Sequence, residues 1–522
     1  MEKKVLAIIG AGEGALPIIN KAKEMGLTTI AYGRNDSLAK DQVDIFIEEN
    51  NFDIHFIAES CKGLHVNAIM PSSELSTEVA ARVAHEALLL GNEVENGFGG
   101  KNKYFMRTKV AKLNSVKQPK FQLYHNGIEV SYPVVVKSVD ACGKRGVSIA
   151  YNDTDLEKAT EVARYNSSDG SAIVEEYLKG GQEYSIECLS YGKGQHQVIQ
   201  YTEKESAGPP HFVEVGHHQP ANLSDQMKSR IDKAAWDILE ILGLNCGMAH
   251  LELKIINNEI YFIEVGARGG GDHISDILTP LSTGFDYYKA AIECHLGIYQ
   301  PCTIHNRAYT GLYFHSKQNE RLKPLFEQAK IADWCVKNTV VKDEFDEATS
   351  NVGASNSGYI IYCSDHKIGL SDCVNSLTVS LINNNPQAKQ LMIQHCRDIG
   401  NDISEDKFNE WFEKIERTGN MIAIIDNSRI IAFLLLYCNH KETLDAYLCN
   451  VYVLSDYRGK SLSVGLLKKA IEICKQKGFK SVSLDVDKDN KIAIRIYEKF
   501  GFHAYISESG RKDRISMRYY IN

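Results

Sequence analysis

Two glutamates, Glu252 and Glu264, close the ends of a stretch that reads as a β-hairpin, Glu252-Leu253-Lys254-Ile255-Ile256-Asn257-Asn258-Glu259-Ile260-Tyr261-Phe262-Ile263-Glu264. If the loop is Asn257-Asn258-Glu259, Ile256 pairs with Ile260 and the two carboxylates fall directly opposite one another. Leu251, Leu253 and Ile255 then share the other, apolar face with Val265, Ile263 and Tyr261. A two-residue loop would put the acids on opposite faces, because a slip of one residue inverts every side chain. Like charges about 4 Å apart repel by about 4 kcal/mol at an effective dielectric near 20, so opposed acids call for a compensating charge. Mg²⁺ suits the place, since it takes one or two carboxylates together with nucleotide phosphates. Two solvated strand acids, each near a lysine, are the plainer alternative.

Other residues could serve a phosphate ligand. Lys137 ends the apolar run Pro133-Val134-Val135-Val136. A lysine in such a strand is costly unless it meets an anion or its head reaches water. Lys144 and Arg145 lie between Gly143 and Gly146, where charge and backbone N–H groups suit phosphate oxygens; a solvated basic turn is the alternative. Near the C-terminus, Arg458-Gly459-Lys460-Ser461-Leu462-Ser463 leads from an apolar run into a helical pattern, a place where N–H groups can approach a diphosphate. His217, His218 and His273 are candidate substrate contacts, each equally able to be an ordinary hydrogen-bonded side chain.

The elements that position these residues alternate. Val5-Leu6-Ala7-Ile8-Ile9 reads as a buried strand, residues 15–25 as a helix ended by Gly26, and residues 27–32 and 68–70 as further strands. Short apolar strands separated by helices imply a parallel sheet, here a small Rossmann-like unit over residues 1–95. Gly10-Ala11-Gly12-Glu13-Gly14-Ala15 is an incomplete dinucleotide fingerprint, with Ala15 at its third glycine. Hairpins and helices mix over residues 96–300, including a helix at 224–242 with Ser224 as N-cap and Gly243 as its stop. Residues 301–372 read as a β-rich closing subdomain. A new pattern starts near 376 and runs to 522, with strands at 421–425, 430–437 and 448–454 and a helix at 464–476.

The chain has 522 residues, enough for three or four folding units. A net charge of −8, with no long block of one sign, argues against nucleic-acid binding. The 13 cysteines form no C-x-x-C pair, which fits reduced thiols in a cytoplasm. The longest apolar run, residues 430–438, is far short of the roughly 20 residues that span a bilayer, so no membrane partner is expected. The opening residues are too short in their apolar part for a signal peptide.

Several stretches, in order, resemble the ATP-grasp superfamily. Pro133-Val134-Val135-Val136-Lys137 is similar to the strand whose lysine holds the nucleotide phosphates, and Asp140-Ala141-Cys142-Gly143-Lys144-Arg145-Gly146-Val147 to the loop that closes over them. Val174-Glu175-Glu176-Tyr177-Leu178, followed by Glu183, resembles the hinge that binds adenine and ribose. The resemblance makes Glu252 and Glu264 the metal carboxylates, Arg268 the arginine facing an acyl phosphate, and Lys103 an earlier ATP contact. Gly266 stands where many members have Asn, as in a branch that includes amino-acid ligases. In such proteins the Rossmann-like lobe does not normally bind NAD.

The C-terminal part resembles GNAT acetyltransferases. The turn Arg458-Gly459-Lys460-Ser461-Leu462-Ser463 is similar to their pyrophosphate loop, with Ser461 and Ser463 in place of glycines. Serine resists positive φ, which weakens the match. Asn490-Lys491-Ile492-Ala493 and Tyr497-Glu498-Lys499-Phe500-Gly501-Phe502 match a second signature, which makes Asn490 a cofactor contact and Tyr497 the acid that protonates the departing CoA thiolate. The alternative is a helix with Ile492, Ile496 and Phe500 packed inward and Tyr497 half buried.

These resemblances together imply an α/β multidomain chain: a Rossmann-like lobe, ATP-grasp α+β lobes and a GNAT-type α/β domain. They imply an ADP-forming carboxylate–amine ligase working through an acyl phosphate, with ATP and Mg²⁺ or Mn²⁺, joined to an N-acetyltransferase using acetyl-CoA. A non-catalytic CoA-binding or assembly module is the alternative for the second half. Partners would be small carboxylates and amines, and a homo-oligomer is compatible with the sequence.

Overall fold

The computed structural model describes residues 3–209, 212–348, 355–372, 378–381, 386–398, 404–426, 429–439, 441–458, 462–506 and 513–521. Two compact units share the chain: residues 1–320 with 339–367, and residues 321–338 with 368–522. The architecture is α/β throughout. Among the described residues, no helix is long and apolar enough to cross a membrane.

The first unit begins with β1 (Val5–Ile9), β2 (Thr28–Gly33), β3 (Ile45–Glu48) and β4 (Ala68–Pro71), a parallel sheet in the order β3-β2-β1-β4. Helices cover both faces, so β1 is apolar on both sides. Leu6 and Ile8 pack with Ile18 and Ile19 on one face, and Ala7 and Ile9 with Ile57 and Val83 on the other. The glycine turn after β1 serves this packing. Gly10 has φ +90° and leaves no room for a Cβ against the Ser72 side chain, and a Cβ on Gly14 would collide with the Ser72 carbonyl.

Next come β5 (Phe121–Leu123), β6 (Val134–Ser138), β7 (Ser148–Ala150) and β8 (Ala172–Glu176), an antiparallel sheet ordered β5-β8-β6-β7. The helix Asp153–Tyr165 covers it, with Leu156, Ala159 and Ala163 against Val134 and Val136. A larger antiparallel sheet follows, built from β9 (Gln182–Gly192), β10 (Gln195–Ser206), β11 (Glu214–Gln219), β12 (Cys246–Ile256), β13 (Glu259–Gly266) and β14 (Tyr309–Phe314). β15 is Cys335–Asn338, and β16 (Tyr359–Ser364) pairs with β14 and so extends the large sheet. β14 and β16 therefore join an existing layer. The helix Asp225–Ile241 forms as its pattern predicts: Ser224 accepts from Met227 N at 3.2 Å, Met227, Ile231, Ala234 and Ile238 are buried, and Gly243 turns the chain at φ +66°.

The second unit holds β17 (Thr378–Leu381), β18 (Asn420–Asp426), β19 (Arg429–Tyr437), β20 (Asp445–Val453), β21 (Ser481–Asp487), β22 (His503–Ala504) and β23 (Arg514–Tyr520), ordered β17-β18-β19-β20-β21-β23-β22. β20 and β21 are parallel, and their ladder joins Asp445–Leu448 to Ser481–Leu484. The rest of β20 continues past that ladder, so the two strands part toward the turn that follows β20. Helices Pro386–Asp398 and Glu405–Thr418 pack on one face, and Leu462–Gln476 and Lys491–Phe500 on the other. Residues 321–338 belong here because Ile331 seats on the helix Leu462–Gln476, where a Cβ on Gly465 would come within 2.8 Å of Ile331 Cδ1.

Candidate functional site

The hairpin of β12 and β13 does place Glu252 opposite Glu264, by a route other than the expected three-residue loop. The turn is the two-residue Asn257-Asn258, with φ +48° and +64°, and Ile256 pairs with Glu259. That turn alone would send the acids to opposite faces. A bulge restores them: Leu253 pairs with Phe262 and Glu252 with Glu264, leaving Ile263 extra. Phe262 and Ile260 consequently join Leu251, Leu253 and Val265 in the core, in place of the expected Ile263 and Tyr261, and Ile263 lines a cleft beside Glu264.

That cleft lies between the small sheet and the large one. It gathers Lys103, Lys137, Lys144, Glu175, Glu176, Leu178, Glu183, Glu252 and Glu264, together with the apolar Val135, Val147, Tyr177 and Phe212. Lys103 starts the helix Lys103–Val110, and its Nζ lies 2.7 Å from the Ala141 carbonyl and 3.4 Å from Glu264 Oε2. Lys144, at φ +62°, reaches Glu214 at 3.3 Å. Lys204, on β10, contacts Glu252 and lies 2.9 Å from Glu214. The repulsion between the opposed acids is thus offset by a lysine on each.

Burial raises the proton affinity of both acids, but the surrounding cations together outweigh it: Lys204, His250 and Lys144 hold Glu252 well below its usual range, and Lys103, Lys137 and Lys144 lower Glu264 despite the repulsion of Glu252. Both acids stay ionised. Glu252 meets Lys204 and His250 through Oε1, and Glu264 meets Lys103 through Oε2. Two ionised acids facing one another across the hairpin fit a divalent cation that also binds nucleotide phosphates.

Glu175 sits deeper than a hinge contact requires. Its Oε1 accepts from Arg107 Nε at 2.7 Å and its Oε2 lies 2.7 Å from Lys137 Nζ. Burial would raise its pKa; the charges of Arg107 and Lys137 prevail and hold it at about 2. Lys137 is therefore fixed at the cleft wall by a buried anion. Glu176 is exposed, its carboxylate accepting from Lys120 N at 3.3 Å, and Glu183 lies 3.2 Å from Lys254 Nζ.

Arg268 is outside this set. It lines an adjoining cleft with Ser72, Ser73, Tyr288 and the glycines 269–271, and it donates to Glu74 Oε2 at 2.6 and 3.1 Å. His217 is fully buried, its Nε2 3.2 Å from Glu214 Oε2 and 3.6 Å from Asp272 Oδ2. His218 faces the other way, to Tyr362 at 3.0 Å and Glu205 at 3.2 Å, and burial lowers its pKa. His273, at φ +62°, joins Asp276 at 2.9 Å and Tyr359 at 2.6 Å. The histidines do not converge on one point.

In the second unit, Gly459, Lys460 and Ser461 lie outside the described residues, as does the boundary position 376. Ser463 is in the first turn of the helix Leu462–Gln476. Arg458 donates to the Val453 carbonyl at 3.0 Å, and its guanidinium lies over the Tyr452 ring. Asn490 caps the helix Lys491–Phe500, accepting from Ala493 N at 3.1 Å. Tyr497 is buried in the core against Phe502, and burial pushes its pKa to about 12. Ile492, expected inward in the packing alternative, is 78% exposed.

Residues 130–276 match the ATP-grasp domain family, and residues 387–502 match the acetyltransferase (GNAT) family. The chain joins an ATP-grasp domain to a GNAT domain. It is similar to a formate-dependent phosphoribosylglycinamide formyltransferase of Wolinella succinogenes, 24% identical over 313 residues that cover 56% of this chain and 76% of that protein. In fold it is similar to an L-amino acid ligase from Bacillus licheniformis, with 21% identity and a TM-score of 0.57, covering 70% of this chain and 94% of the other. A phosphoribosylglycinamide synthetase from Anaerococcus prevotii shares the fold at 20% identity and a TM-score of 0.53, covering 70% and 95% of the respective chains.

The first unit also contains charged residues that sequence reading passed over: Arg107, Lys204, Glu214, His250 and Asp272. Two carried a signal. Arg107 lies one helical turn after Lys103, on the same face. His250 precedes Glu252 by one strand repeat and so shares its face. Lys204, Glu214 and Asp272 needed the order of β10, β11 and β12 in the sheet, which no local pattern encodes.

Proposed function

We propose that the chain is a bifunctional enzyme: an ADP-forming carboxylate–amine ligase acting on a small amino-acid-like substrate, followed by an acetyl-CoA-dependent N-acetyltransferase. The supporting observation is the cleft that brings three lysines, Lys103, Lys137 and Lys144, onto the same walls as the opposed Glu252 and Glu264. Residues 1–95 would serve as the Rossmann-like lobe, 96–300 and 301–372 as the ATP-grasp lobes and their closing part, and 376–522 as the acetyltransferase. ATP and CoA chemistry with free thiols suits a cytoplasmic protein.

In this mechanism Glu176, Leu178 and Glu183 receive adenine and ribose, and the three lysines hold the triphosphate. Glu252 and Glu264 would hold Mg²⁺, which supplies charge compensation on the phosphates when bound. A substrate carboxylate oxygen attacks the γ-phosphorus, the bond to ADP breaks, and an acyl phosphate forms. Arg268 steadies the acyl phosphate after exchanging Glu74 for it. An amine nitrogen then attacks the acyl carbon, loses a proton, and expels phosphate. Glu214 and His217, both buried, meet the partly exposed Asp272 beside Lys144 and Lys204, and the Asp272 carboxylate suits the ammonium group of an amino acid. ADP release across a panel of carboxylates, with and without amines, tests the proposal. Amine-stimulated ADP release with an amino acid as the carboxylate supports it, and no carboxylate dependence would refute it.

A second reading applies to the GNAT domain, as a non-catalytic CoA-binding or assembly module. It is favoured by Asn490, which spends its side chain on a helix cap, and by Tyr497, which packs into the core. Thiol release from acetyl-CoA with a panel of amines separates the two; activity removes the second reading.

A further inference from the structure

Behind the metal carboxylates lies a fully buried acid that the mechanism above does not use. Glu187, on β9, is 0% exposed and faces His250 across the β9–β12 ladder, with Glu187 Oε1 2.5 Å from His250 Nδ1. The far nitrogen of that ring, Nε2, lies 3.4 Å from Oε1 of Glu252. The second oxygen of Glu187 accepts from Gly270 N at 3.0 Å and from Ser275 Oγ at 3.2 Å. Gly270 must be glycine for this contact: a Cβ there would come 2.7 Å from His250 Nδ1 and 2.9 Å from Glu187 Oε1. One carboxylate therefore grips two pieces of the proposed site, the acid that would hold the metal and the glycine loop that follows Arg268.

We infer that Glu187 and His250 are a positioning pair that sets the metal-binding orientation of Glu252 relative to the Arg268 loop. The inference rests on the ligase reading of the cleft. A buried hydrogen bond between cross-strand neighbours that also grips the glycine loop is more than packing needs, since a buried polar group is costly unless it is paired. Here each oxygen of the acid has its own donor. Partners that orient a ligating carboxylate typically change metal affinity by 10–100-fold when removed.

The test uses the full chain, with ADP as the probe and Mg²⁺ varied, read by calorimetry. Glu187→Gln and His250→Gln are each expected to raise the Mg²⁺ concentration for half-maximal ADP binding by on the order of tenfold. Metal-free ADP binding should stay unchanged. The double variant should match the worse single one, because both act along one path. If Glu187→Gln fails to fold, the His250→Gln midpoint decides. An unchanged Mg²⁺ midpoint in folded variants, against a normal wild-type response, would overturn this inference alone. Wild-type ADP binding that ignores Mg²⁺ would overturn the ligase reading and the inference with it.

Discussion

Lys137 and Glu175 show how a single side chain acquires its role. A lysine on an apolar strand becomes stable because Glu175 stands beside it, and Glu175 stays charged because Arg107 neutralises its other oxygen. The depressed pKa of Glu175 fixes the sign of its pH dependence. Its folded value of about 2 lies below its ordinary 4.5, so the folded state binds the proton more weakly. The contribution to stability, about 3 kcal/mol, is fully present above roughly pH 4.5 and is lost as pH falls toward 2. Arg107→Met should cost roughly 3–5 kcal/mol at neutral pH and move acid unfolding to higher pH, which calorimetry across pH will read. At the opposed acids, Glu264→Gln should lower carboxylate-dependent ADP release by more than roughly 100-fold while leaving the melting temperature within a few degrees.

The hairpin of β12 and β13 carries the lesson at the scale of the element. The alternation of apolar and polar residues was enough to show two strands and to face Glu252 with Glu264. It was not enough to find the two-residue turn with its compensating bulge, because a longer loop gives the same pairing of the acids. The turn itself is testable. Asn257 and Asn258 both take positive φ, which a β-branched residue resists. Asn258→Val should therefore destabilise by about 1–2 kcal/mol, and Asn258→Gly should be neutral or slightly stabilising, both read by thermal unfolding. The helix Asp225–Ile241 was legible to within a residue because cap, apolar stripe and glycine stop agree. Residues 301–372 were legible as strands only; that β14 and β16 extend the large sheet depends on partners distant in sequence.

At the scale of the whole molecule, the chain divides into two units, each with its own hydrophobic core. The order of motifs along the sequence showed this division, because each motif falls within one unit. The transfer of residues 321–338 to the second unit was not legible, since the contact of Ile331 with Gly465 has no counterpart in local pattern. Two separate cores predict separable activities. Tyr497→Phe should lower acetyl-CoA-dependent thiol release by roughly 100-fold or more if the phenol is the acid, with ADP release unchanged. Loss of both activities together would mean that the units depend on one another.

The central claim is that the first unit activates a carboxylate as an acyl phosphate, and hydroxylamine trapping meets it head-on. With ATP, Mg²⁺ and an accepted amino acid, the wild-type chain should form hydroxamate and ADP in equal amounts, and Glu264→Gln should form neither. Release of AMP instead of ADP, or ADP formed at full rate without any carboxylate, would contradict it.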